Sequence, residues 1–138
     1  MSDANCIFCK IINGDIPSKT LYENEEFKVI FDIAPASKGH VIILPKYHAE
    51  NIFELPEEVV AKSFVMAKKV ATVLKSVLKC DGINILQNNG EAAGQTVFHL
   101  HIHVIPRWDN DNMGLLWQQG EANPEVLDSI IEEAKELF

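Results

Sequence analysis

Phe98-His99-Leu100-His101-Ile102-His103-Val104-Ile105 is the stretch on which the fold turns, because three imidazoles alternate there with apolar side chains in a run that also takes in Val97. Strict alternation predicts a strand over 97–105, with His99, His101 and His103 in one row and Phe98, Leu100, Ile102 and Val104 turned towards a core. Alternate residues of a strand stand about 6.6 Å apart, so three imidazoles can surround one small anion or divide themselves between a metal and a substrate. An ordinary solvated strand face mixes Thr, Lys and Glu; here it holds three of the chain's five histidines.

The chain around this strand has 138 residues, a length that predicts one domain, 1–138, burying roughly 68% of its unfolded surface without help from disulfides. Hydrophobic residues make up 47% and charged ones 23%, which excludes long disorder and fibrous architecture. No apolar run is long enough for a membrane span, and the N-terminus lacks the basic-then-apolar pattern of an export signal, so the expected compartment is the cytoplasm and no membrane partner is expected. Three cysteines, an odd number, fit a reducing environment. Twelve basic against twenty acidic residues give a net charge of −8, which repels polyanions and argues against a nucleic-acid partner. A small phosphate ligand stays open, since backbone N–H groups and imidazoles hold one locally.

Residues 6–12 read as a short helical turn stopped by Asn13-Gly14-Asp15-Ile16-Pro17. Leu21-Tyr22 and 27–32 read as a hairpin around the acidic turn 23–26, and 40–44 as a buried strand ended by Pro45. A long helix is predicted over 56–79, with acids in its first turn and Gly82 as its stop, followed by a strand over 83–87 and a loop over 88–94. A last helix is predicted from Pro124, capped by Asn123 and carrying Val126, Leu127, Ile130, Ile131 and Leu137. Residues 108–122 give no clear pattern. Strands and helices without regular βαβ alternation predict an α+β domain: a mainly antiparallel sheet with one covered face, one long helix and a C-terminal helix. Cys6-x-x-Cys9 lets one turn present two thiolates, and a tetrahedral zinc needs two more ligands, typically histidines. Two buried thiols without metal are the other reading.

The segment Gln95-Thr96-Val97-Phe98-His99-Leu100-His101-Ile102-His103-Val104-Ile105 resembles the His-φ-His-φ-His-φ-φ signature of the histidine triad (HIT) superfamily. Ile7-Phe8 and Ile11-Ile12 before Ile16-Pro17, Phe31-Asp32-Ile33 before Pro35 and Gly39-His40, Val41 to Pro45-Lys46 before His48, and Asn88-Asn89-Gly90 before Gly94-Gln95 recur in the same order, so the resemblance spans about 6–107. It implies a HIT-like homodimer that cleaves at the α-phosphate of purine nucleotide conjugates, phosphoramidates or dinucleoside polyphosphates, through a nucleotidyl-histidine intermediate. By position His101 is then the nucleophile. His103 becomes a donor to a nonbridging oxygen, helped by Asn88, Gln95 and Thr96, and Thr96 passes a proton to the leaving group. Asp32 accepts the ribose hydroxyls, Phe8, Ile16, Ile30 and Ile33 wall the base, and His40 supports the histidine cluster. In several bacterial members Cys6, Cys9, His48 and His99 match a structural zinc site, one per chain.

Ordinary readings stand beside these: turn and strand-edge chemistry for Asn88 and Thr96, a turn aspartate for Asp32, core packing for the apolar walls, a satisfied core histidine for His40. Trp108 and Trp117 read as core or subunit-contact residues, with stacking on a leaving group as the alternative. The rival function class is a purine-nucleotide-binding or protein-interaction module with incidental hydrolysis.

Overall fold

Residues 3–138 are described by a computed structural model. Its strands are β1 (Thr20–Glu23), β2 (Phe27–Phe31), β3 (Val41–Pro45), β4 (Gly82–Leu86) and β5 (Ile102–Arg107), and its helices α1 (Ile7–Ile12), α2 (Glu57–Leu78) and α3 (Pro124–Ala134). The strands form one sheet in the order β1-β2-β3-β5-β4, each neighbouring pair antiparallel. The α+β architecture expected from the sequence is the one observed. Among the described residues no helix is long and apolar enough to cross a membrane.

Period-two alternation sorts the sheet's side chains between two apolar clusters. Val29, Val41, Ile43, Ile102 and Val104 face α2, where Met66, Ala67, Val70 and Leu74 close the larger core. Ile30, Ile42 and Leu44 point the other way and meet Phe8, Cys9 and Ile11 of α1. The expectation of one covered face is therefore corrected: β3 is buried along its whole length, because the short α1 roofs the second face.

The long helix lies within one residue of its predicted bounds at each end. Gly82 does not stop it, however; Lys79 adopts the left-handed conformation (φ 53°) that ends the helix, and Gly82 opens β4. The predicted strand over 97–105 is corrected more substantially. Ladder pairing begins only at Ile102, because residues 97–101 are held by other partners: the Leu100 N–H donates to the Ala49 carbonyl at 2.7 Å, and the Gln95 carboxamide holds the Val97 carbonyl at 3.0 Å. Leu100, Ile102 and Val104 do enter the core, whereas Phe98 is 40% exposed. In α3, Asn123 caps the first turn as expected, yet none of the helix's residues is buried.

Candidate functional site

The sheet face roofed by α1 opens beside β5 into a cleft of about 370 Å³, lined by Phe8, Ile16, Ile30, Asp32, Ile33, Thr96, His101 and His103 among others. That volume falls in the range of small-ligand pockets. Eight predicted site residues meet there. Pro17, Ser18, Gly94 and Val97, which the sequence did not single out, join them.

Hydrogen bonds fix which nitrogen of each ring carries the proton. His101 Nδ1 lies 2.7 Å from the His99 carbonyl oxygen; a carbonyl only accepts, so His101 is protonated at Nδ1 and presents the Nε2 lone pair. His40 has the opposite arrangement: its Nδ1 accepts the Ala36 N–H at 3.0 Å, so its proton sits on Nε2. That proton meets His103 Nδ1 at 2.9 Å, which leaves the His103 proton on Nε2. One lone pair and one N–H donor therefore stand side by side, on rings with centroids 5.0 Å apart.

Burial keeps these rings neutral. It pushes His101 and His40 below the usual imidazole value, and carries His103 down to about 4 with further help from the neighbouring His101 and His40. The 3.6 Å contact of His40 Nε2 with Asp32 Oδ2 is accordingly a neutral–anion contact. Asp32 Oδ1 accepts the Ala34 N–H at 2.8 Å, which orients the carboxylate at the cleft wall. Ile33 is almost fully exposed, whereas Phe8 and Ile30 are buried parts of the core beneath the cleft.

Neither Gln95 nor Asn88 lines the cleft itself. The Gln95 side chain is 2% exposed and committed to main chain, donating to the Glu50 carbonyl at 2.6 Å and the Val97 carbonyl at 3.0 Å while accepting the Gly90 N–H at 2.8 Å. It is a clamp on the 88–97 loop with no donor to spare. Asn88 lies beside the cleft-lining Gly94, where a Cβ would come 3.5 Å from the Asn88 Nδ2.

The second cluster lies on the far side of His99. Cys6, Cys9, His48 and His99 offer four donor atoms within 4.8 Å of one another. His99 Nε2 donates to the Pro45 carbonyl at 2.8 Å, so its lone pair is on Nδ1. From that atom Cys6 Sγ is 3.4 Å, Cys9 Sγ 3.6 Å and His48 Nδ1 3.1 Å away, and Cys9 Sγ to His48 Nδ1 measures 3.4 Å. Tetrahedral zinc, with Zn–S about 2.3 Å and Zn–N about 2.05 Å, requires N···N edges near ~3.3 Å and N···S edges near ~3.6 Å. The donor set is compatible with zinc in both chemistry and spacing. Burial lowers His99 to about 4 and raises Cys9, disfavouring the charged form of each.

Asp32, His40 and His103 also fall within ligand distance of one another, but they fit a metal poorly. His40 Nδ1 is already an acceptor, and Nε2 would have to lose its proton as well.

A family profile described as the HIT domain matches residues 13–110. The adenosine 5′-monophosphoramidase HNT1 of Saccharomyces cerevisiae is 39% identical over 133 residues, covering 95% of this chain and 81% of that protein. The crystal structure of a HIT family protein from Bacillus anthracis superposes with a TM-score of 0.89 at 40% identity, covering 99% of each chain. A zinc-bound histidine triad family protein from Mycobacterium smegmatis superposes with a TM-score of 0.77 at 34% identity, over 97% of this chain and 98% of that one.

Proposed function

The chain belongs to the HIT family, and from that premise we propose that it cleaves purine nucleotide conjugates, phosphoramidates or dinucleoside polyphosphates, at the α-phosphate, releasing the nucleoside monophosphate. The observation that carries this reading is the proton arrangement of the two cleft histidines. His101 brings a lone pair on Nε2 and His103 an N–H on Nε2, the complementary pair that attack on a phosphate needs.

His101 Nε2 attacks the α-phosphorus, and the new N–P bond forms as the bond to the leaving amine or phosphate breaks. The His99 carbonyl, already hydrogen-bonded to Nδ1–H, stabilises the positive charge that develops on the ring. His103 Nε2–H donates to a nonbridging oxygen. Thr96, exposed on the cleft wall, hands a proton to the leaving group. Water then attacks the nucleotidyl-histidine and returns a proton to Thr96, the N–P bond breaks, and His101 recovers its lone pair. Asp32 faces the ribose hydroxyls, with Phe8, Ile16, Ile30 and Ile33 against the base. Asn88, beside Gly94, offers its carboxamide to the phosphate, while Gln95 acts behind this surface, holding the loop that presents Thr96 and Gly94.

Cys6, Cys9, His48 and His99 would hold one structural zinc per chain. The metal supplies a cross-link between the N-terminal segment and the strand that carries His101. All three cysteines are free, which suits a cytoplasmic protein. We read the chain as a homodimer. Support comes from β4, an edge strand with Ile85 46% exposed, from Val65 and Val77 of α2, 64% and 71% exposed, and from the uncovered α3.

The test is hydrolysis of an adenosine phosphoramidate by the wild-type protein and by His101→Ala. The variant is expected to lose at least ~10³-fold in rate, about 4 kcal/mol of barrier, while still binding AMP. Equal slow rates in the two proteins would overturn the mechanism in favour of a binding module. Mass spectrometry under single-turnover conditions should detect a nucleotidyl adduct on His101.

A further inference from the structure

The loop between β2 and β3 is tied down by a hydroxyl. Ser37 Oγ donates to the Pro106 carbonyl at 2.6 Å, across 69 positions of sequence. Pro106 belongs to β5, the strand of His103, and the carbonyl it presents lies where β3 has run out of pairing residues, since the β3–β5 ladder covers only Val41–Ile43. Ser37 supplies the partner that the ladder lacks. Its own carbonyl accepts the His40 N–H at 3.2 Å, and the preceding residue, Ala36, gives its N–H to His40 Nδ1 at 3.0 Å. Gly39 lets the loop close on the end of α2: at φ +83° a Cβ would come 2.5 Å from Leu78 Cδ1.

We propose that Ser37 is a positioning residue for the histidine pair: by pinning the 33–39 loop to Pro106, its hydroxyl holds the Ala36 N–H on His40 and so fixes the His103 proton on the nitrogen that faces the cleft. The chain of reasoning is one of proton placement. A neutral imidazole carries one N–H, so an acceptor at His40 Nδ1 forces a donor at Nε2, and an acceptor at His103 Nδ1 forces a donor at its Nε2. When the Ala36 N–H drifts away, His40 is free to move its proton to Nδ1, and His103 then donates to His40 from Nδ1. A lone pair at His103 Nε2 would then oppose a phosphate oxygen. What this does for catalysis rests on the proposed role of His103; the proton placement itself does not.

The experiment uses full-length protein labelled with ¹⁵N, with the ring nitrogens of His40 and His103 read by long-range proton–nitrogen correlation at neutral pH. Wild type is expected to show both rings protonated at Nε2. Ser37→Ala should show His103 in a mixture of the two tautomers, with kcat for the phosphoramidate down about 10-fold and KM close to wild type. Ser37→Thr, which keeps the hydroxyl, should restore both. If Ser37→Ala does not fold, Ser37→Cys keeps the shape with a weak donor and should show the same mixture in a folded protein. A folded Ala or Cys variant with both native tautomers overturns the proposal, and so does a Thr variant that fails to restore them. Absence of phosphoramidase activity in wild type would sink the functional reading and leave the nitrogen spectra to decide this one.

Discussion

Replacing Gln95 with alanine should cost about 3 kcal/mol of stability, and the structure shows why. The side chain is 2% exposed and makes three hydrogen bonds to main chain: to the Glu50 carbonyl at 2.6 Å, the Val97 carbonyl at 3.0 Å and the Gly90 N–H at 2.8 Å. Truncation removes one partner from each pair and strands the other, at about 1–3 kcal/mol for every buried group left alone. Water entering the vacated space re-bonds some of them, so the net loss falls well below the sum, in the range of about 2–4 kcal/mol. Urea denaturation measures it, with the slope checked against wild type so that a lower midpoint means lower stability. A carboxamide that faced the phosphate instead would give the opposite pattern: an unchanged midpoint with weaker nucleotide binding. That pattern would refute the clamp. Gln95→Glu sharpens the comparison, since it puts a carboxylate against the Glu50 and Val97 carbonyls and should destabilise at least as much near neutral pH as Gln95→Ala.

Protein purified without added zinc should contain about one equivalent per chain by elemental analysis, and Cys6→Ala should lose it and melt lower; metal-free wild type with an unchanged melting temperature would count against the site. Ile43→Ala, at a fully buried position between sheet and α2, should cost about 2–5 kcal/mol by denaturation, whereas Phe53→Ala, 86% exposed, should stay within about 0.5 kcal/mol. The Arg107 guanidinium, 2.7 Å from Asp111 Oδ2 and 2.9 Å from Oδ1, holds the Asp111 carboxyl well below the usual carboxylate range, helped by the Met113 and Trp108 N–H groups. A depressed folded pKa gives stability that is present above the unfolded value, about 3.9, and fades as the pH falls below it. Asp111→Asn should therefore flatten the acid side of the stability–pH curve, and an acid limb identical to wild type would contradict the pairing.

The sequence announces best what repeats. Apolar spacing revealed α2 because a helix buries every third or fourth side chain, and Ala67, Val70 and Leu74 do meet the core. The alternation at 97–105 correctly separated Leu100, Ile102 and Val104 from the histidines, since extended backbone turns its side chains the same way whether or not it is laddered. It could not show that 97–101 pair with a loop, because the carbonyl of Ala49 that holds Leu100 leaves no trace in the pattern. Gln95 and Ser37 were illegible for the same reason. Each acts on main chain, Ser37 on Pro106 and Gln95 on Glu50 far away in sequence, and main chain is the same at every residue. His48 entered the metal set only through resemblance: Cys6 and Cys9 share a turn, but His48 lies 39 residues further on, and its Nδ1 arrives 3.4 Å from Cys9 Sγ because β3 carries it there.

The C-terminal helix is where the proposed homodimer can be tested. Val126, Leu127, Ile130 and Ile131 recur at helical spacing, as a face meant for burial, yet all four are about half exposed or more, as is Trp117 at 81%. Covering four such side chains would contribute on the order of 1.5–3 kcal/mol each, and without that burial an 11-residue helix is marginal in water. A covering surface would stabilise the helix, and under the proposed homodimer that surface is a second copy of the chain. Sedimentation should then report a dimer for wild type. Ile130→Asp should shift it towards monomer and lower the helical signal together, because the same contact would sustain both; loss of neither, in a folded protein, would remove α3 from the interface.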